Sequence, residues 1–218
     1  MDILTQEQLL LKAQAQFQAL KELILDYSQK QIRIDRVERS VFTELLACGL
    51  TLLRAFAAGA GLGDEGAEVT RDGHALHRSD KLHGKLYRSV FGMFSILRWV
   101  YARGPKKKLE YVPTDKRLGL PRGEYSYVME DWQQRLCVKE TFADGVDGLG
   151  AILGLATSVE TAEEMNLRMA EYAEPFRLQQ PAPPAAAEET FVVATADGTG
   201  VPEHWESRTR TPSAEEGT

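Results

Sequence analysis

Asp197 is the residue of this sequence best placed to do chemistry. Phe191–Ala196 is a run of β-branched and small apolar residues, long enough for one strand buried on both faces. The run stops at Asp197-Gly198, with Gly200 and Pro202 next, so a carboxylate is presented where a strand opens into a loop. A strand fixes such a carboxylate, glycines let a phosphate or metal approach the backbone, and Mg²⁺ takes hard oxygen ligands. Asp-Gly is equally the two-residue turn of a hairpin, and spacing alone leaves both readings open.

A second concentration of chemistry lies upstream. Residues 71–122 hold thirteen Lys or Arg against four Asp or Glu, a local surplus of nine cations in a chain of net charge −6. Arg71, Arg78, Lys81, Lys85, Arg88, Arg98, Arg103, Lys106, Lys107 and Lys108 are the candidates for contact with a phosphate backbone. Leu86–Val90 and Met93–Ala102 favour β structure and break at Gly92, which predicts a hairpin followed by the exposed loop Gly104–Lys108. The alternative is a solvated basic hairpin that binds nothing. His74, His77 and His83 lie nearby, but no Cys pair stands at ribbon spacing, so no zinc is expected.

The elements that must position these residues are mostly helical. Thr5-Gln-Glu-Gln8 reads as a capping box opening a helix to about Gln31. Its Leu10, Ala13, Phe17, Leu20, Ile24 and Tyr27 follow 3-4 spacing, a seam that packs on the next helix of the chain or makes a homodimer through residues 5–31. Asp35 is the expected cap of a second helix to about Ala58. Val37, Val41, Leu45, Cys48, Leu52 and Phe56 form its inner face, widened by Phe42, Leu46 and Leu53. Gly59, Gly61 and Gly63 then open a loop.

Further on, a helix over Tyr125–Val138 turns Val128, Met129, Trp132 and Leu136 inward, and one over Thr141–Leu153 turns in Phe142, Val146, Leu149 and Leu153. After a turn at 154–157, Ser158 caps a third helix to about Glu174, ended by Pro175. This is a helix-turn-helix layout. The third helix carries Glu160, Glu163, Glu164, Glu171 and Glu174 against Arg168 alone, a charge that repels phosphate.

Several of these segments, taken in order, resemble one family. VVATADGTGVP at 192–202 is similar to the first catalytic strand of ISKra-type insertion-sequence transposases, which are DDE enzymes of ribonuclease-H-like fold. RVERSVF (36–42), YRSVFG (87–92), LGLPRGEYSY (118–127) and SVETA (158–162) agree in the same order, so the resemblance spans roughly residues 30–202. It implies that Asp197 corresponds to the first of three carboxylates that hold two Mg²⁺ ions for DNA strand cleavage and transfer. It also implies that the element's DNA ends are the partner. The chain stops sixteen residues after Pro202, so the expectation is a truncated, catalytically inactive front part that binds no metal by itself.

The expected fold is therefore mainly α with one hairpin, ending in the first strand of an incomplete ribonuclease-H-like domain. The parts are a helical pair over 1–63, a basic segment over 64–124 and a helix-turn-helix-like unit over 125–178. A Pro/Ala linker over 179–189, a strand over 190–202 and a disordered tail over 203–218 follow. A small non-enzymatic DNA-binding regulator and a helical interaction protein are the alternatives. Cys48 and Cys137 form no CxxC and fit a reducing, cytoplasmic setting. The N-terminus lacks a signal-peptide layout, and Val41–Leu62 reads as too polar to span a bilayer, so no membrane is expected.

Overall fold

A computed structural model describes residues 4–104, 107–155 and 157–181. The chain is mainly helical with two small antiparallel sheets. The compact body runs to Glu174, and the chain from Pro175 forms a separate unit.

Helix α1 (Gln6–Gln29) opens on the expected capping box: Gln8 N donates to Thr5 Oγ1, and Thr5 N donates to Gln8 Oε1. Helix α2 (Ile34–Gly59) runs back antiparallel, with Tyr27 beside Ser40 and Cys48 Sγ against the Ala13 carbonyl. Asp35 is not its cap. The N-cap is Arg33, and Asp35 sits in the first turn, ion-paired with Arg33. The buried residues of the pair are Leu9, Ala13 and Leu20 on α1 and Thr51 and Ala55 on α2, of which Ala13, Thr51 and Ala55 are small enough for close approach. Leu10 and Phe17, and on α2 Phe42, Leu45, Leu52 and Phe56, are exposed rather than inward. α2 is also the one helix among the described residues with the length and hydropathy to cross a membrane.

The loop after α2 leads into strand β1 (Glu68–Arg71), which pairs with β2 (His74–Arg78) through a turn at Asp72-Gly73. Both turn residues have positive φ, 50° and 77°, as a two-residue primed turn requires. Strands β3 (His83–Ser89) and β4 (Gly92–Arg98) form the predicted hairpin in register from His83↔Arg98 to Ser89↔Gly92. The expected second strand does not run unbroken to Ala102. It breaks at Trp99-Val100, and β5 (Tyr101–Ala102) joins β2 instead, giving a β1-β2-β5 sheet beside the β3-β4 pair. At the hairpin tip Gly49 of α2 meets Phe91; a Cβ on Gly49 would stand 2.6 Å from that ring.

Tyr101 is fully buried and ties the sheet together. Its hydroxyl donates to the Gly66 carbonyl at 3.0 Å and accepts from Glu65 N at 2.8 Å, while its backbone pairs with Tyr111. A short helix α3 (Pro113–Leu118) follows, with Pro113 in its first turn and Gly119 in the left-handed conformation at its end.

Helices α4 (Tyr127–Cys137), α5 (Phe142–Leu153) and α6 (Val159–Ala170) each open on a hydroxyl cap, Ser126, Thr141 and Ser158. Their core is Met129, Leu149 and Leu153, and Val90 from the β3-β4 tip completes it. Val128 and Trp132 are exposed, against the expectation from spacing; Gln133 and Gln134 take the inner positions. Gln133 serves the polar α5–α6 turn, accepting from Thr157 Oγ1, and Gln134 donates to the Ala162 carbonyl at the start of α6. α5 closes on α4 at Gly145, where a Cβ would lie 3.0 Å from Cys137 Sγ. Pro175 does not end the third helix. α6 stops at Ala170, and Pro175 lies in the first turn of α7 (Ala173–Gln179), where its missing N–H costs nothing.

Two substitutions test this packing. Tyr101→Phe leaves Gly66 O and Glu65 N without the phenol they share, and should lower urea-unfolding stability by about 1–3 kcal/mol. Gly145→Val overpacks the α4–α5 contact and should cost about 1–3 kcal/mol. Unchanged unfolding midpoints would show these contacts to be dispensable.

Candidate nucleic-acid interface

Among the described residues the candidate cations divide by side-chain type. Arg71 pairs with Glu65 and donates to Tyr111 Oη, its guanidinium 4.5 Å over the Tyr111 ring. Arg78 pairs with Asp64 while stacked on Trp99. Arg88 pairs with Glu124 at 3.1 Å beside the Tyr125 ring. Arg103 pairs with Glu110 at 3.0 Å. Arg98, expected on the basic surface, is instead buried on β4 with Nε 2.6 Å from Asp115 Oδ1 of α3. It holds α3 against the hairpin and is withdrawn from any surface role.

The lysines are different. Lys85 Nζ donates to the Arg122 carbonyl. Lys81, Lys107 and Lys108 are exposed and have no acidic partner among the described residues. Lys106 and Asp197 lie outside the described residues, as do Phe191–Ala196, the strand and tail expected after it, and the linker from residue 182. The surplus counted over residues 71–122 is larger than the charge its surroundings leave free. Its acidic counterweights Asp64, Glu65 and Glu124 lie just outside the window 71–122, and Glu110 and Asp115 lie inside it.

The histidines do not converge. His77 stands opposite Glu68 in the β1-β2 ladder with Nδ1 3.3 Å from the carboxylate, and His83 stands opposite Arg98. No group of three or more His, Cys, Asp or Glu that could hold a metal occurs among the described residues.

The strand pair and the three-helix unit are joined by backbone. Arg88 N donates to Glu124 O and Ser126 N donates to Arg88 O, both at 2.8 Å, so the start of α4 continues the edge of β3. The α5–α6 turn contains Gly154 at φ 65° and ends on Ser158, whose Oγ accepts from Thr161 N. Ala162 and Met165 are the buried residues of α6, and Glu160, Glu163 and Glu164 are exposed. Arg168 of α6 reaches Glu130 of α4 at 2.8 Å. The depression beside the turn is lined by Val146, Asp147, Gly150, Gly154 and Thr157, so it offers a carboxylate and no cation.

The Asp64 carboxyl is held below its ordinary value of 3.8, first by the Gly66 N–H and then by the Arg78 guanidinium. The chain matches no family model, no curated protein and no solved structure in comparisons with all three.

Two measurements follow. Because the folded Asp64 pKa is lowered, its contribution is fully present above about pH 4 and is lost as pH falls through the depressed value. Asp64→Asn should therefore weaken the protein at pH 7 and narrow its difference from wild type below pH 4, read by thermal melts across pH 2–7. At this pair Arg98 is buried and Asp115 partly exposed, so Arg98→Ala should cost about 1–3 kcal/mol, whereas Arg98→Met with Asp115→Leu should cost less. Equal losses in the single and double variants would refute the buried-charge account.

Proposed function

We propose that this chain is a DNA-binding part of an insertion-sequence DDE transposase, corresponding to the region before and including its first catalytic strand. The observation that carries the reading is a capped three-helix unit with a glycine-containing α5–α6 turn, continued by backbone bonds into the β3-β4 strand pair, in a basic segment whose exposed Lys81, Lys107 and Lys108 have no acidic partner among the described residues. In this reading α4–α6 is a helix-turn-helix descendant. Its third helix does not read bases, because Glu160, Glu163 and Glu164 would face phosphates. Contact falls to the exposed lysines, with the solvent-exposed arginine pairs able to exchange their acids for phosphate at small cost.

Catalysis in the family requires two Mg²⁺ ions held by three carboxylates, which activate the nucleophile and stabilise the leaving oxygen. Asp197 supplies one hard ligand, and an ion held by one carboxylate keeps most of its water. The chain alone is accordingly a DNA binder without strand-transfer activity, active in the cytoplasm and away from membranes.

DNA titration at several salt concentrations tests this. Lys81→Ala with Lys107→Ala and Lys108→Ala should weaken binding and flatten the log K against log salt slope by up to about one unit per lost phosphate contact. If α6 lies beside the duplex, neutralising Glu160, Glu163 and Glu164 should strengthen binding. A chain that binds no DNA at about 50 mM salt would refute the reading.

A further inference from the structure

The α1–α2 pair leaves one apolar face uncovered. On α1, Leu10, Phe17 and Ile24 recur every seven residues beside the buried Leu9, Ala13 and Leu20. On α2, Leu45, Leu52 and Phe56 form a matching stripe beside the buried Thr51 and Ala55. All but Ile24 are 47–65% exposed, too much for residues serving only an intrachain core. The two stripes lie on the same side of the pair, since Phe17 and Ile24 share an apolar groove with Val41, one turn before Leu45. The hairpin tip lies elsewhere on α2, against Gly49 and Leu50.

A helix with one helical neighbour needs one stripe, whereas a helix in a four-helix bundle needs two adjacent stripes, one for each neighbour. Both helices here carry two. We propose that a second copy of this chain covers the face, making α1 and α2 of each protomer half of a homodimeric four-helix bundle. The copy supplies helices of matching length, 24 and 26 residues. Two such helices side by side, ~36 Å long and together ~20 Å wide, present about 700 Å². That approaches the ~800 Å² per partner of a stable interface. Heptad spacing continues the left-handed packing that the bundle uses.

Charge favours a copy over a lipid surface. The margins carry Lys21 on α1 and Glu38 on α2, one of each sign, so the face is neutral against itself. It lacks the basic fringe that holds an amphipathic helix on an anionic bilayer.

Sedimentation velocity of the full chain over about 1–100 µM should give twice the 24.3 kDa chain mass. Phe17→Glu and Leu52→Glu should each raise the dissociation constant at least tenfold while helical circular dichroism stays unchanged, because both side chains are exposed in the single chain. Lys12→Glu, on the opposite flank of α1, should stay dimeric. A monomer at 100 µM overturns the proposal, and so does a dimer indifferent to both Glu substitutions. Flotation of the wild type with phosphatidylcholine–phosphatidylglycerol vesicles would assign the face to lipid and overturn it as well. No DNA enters these measurements, so their failure leaves the DNA-binding reading standing.

Discussion

The buried Tyr101 hydroxyl is the constraint on which the middle of this molecule depends. One phenol accepts from Glu65 N and donates to Gly66 O, anchoring the loop that leaves α2. Its own backbone joins β2 on one side and Tyr111 on the other. Tyr101 is fully buried, and its hydroxyl left unpaired would cost more than a made hydrogen bond returns, which holds the exposed loop against it. Fixing it sets Asp64 and Glu65 beside Arg78 and Arg71, and sets α3 where Asp115 can meet Arg98. The ion pairs are a consequence of the anchor.

What was legible in the sequence was local. The capping box at Thr5, the hairpin break at Gly92 and the Ser158 cap are each dictated by neighbours within four residues, and each is present. The β1-β2 hairpin carries the same kind of signal, Asp72-Gly73 between Glu68–Arg71 and His74–Arg78. It is hidden because those strands are short, polar and largely exposed, so no alternation of apolar residues marks them. Gln133 and Gln134 are hidden for the opposite reason. Hydrophobicity places Trp132 and Val128 inside, yet the polar α5–α6 turn requires amides opposite it.

The helical pair shows where periodicity underdetermines packing. Each helix has an apolar arc wider than a single neighbour can cover, and the sequence gives no rule for which half faces that neighbour. Sterics decide it. Ala13, Thr51 and Ala55 permit close helix approach, so the seam forms along them with Leu9 and Leu20 beside it, and Leu10, Phe17, Leu52 and Phe56 are left outside. The same width explains why α2 reads as apolar enough for a membrane while it carries Glu44 and Arg54 along its length.

The electrostatics follow from a difference between two cations. Arginine is weakly hydrated and planar, so it gains from stacking and from a carboxylate fork, and Arg71, Arg78 and Arg88 each lie over an aromatic ring with an acid beside them. Lysine holds its water and stays outward, as Lys81, Lys107 and Lys108 do. A count of charges along residues 71–122 adds both kinds together and so overstates the field outside the protein. Counterion release needs cations that are free to meet phosphate, or whose present pairing is weak enough to exchange. Arg98 satisfies neither condition, since it is buried on β4 and moving it outward would leave the half-buried Asp115 without its cation. The cations able to meet an anion are therefore the exposed lysines first and the solvent-exposed arginine pairs second, with Arg98 held inside.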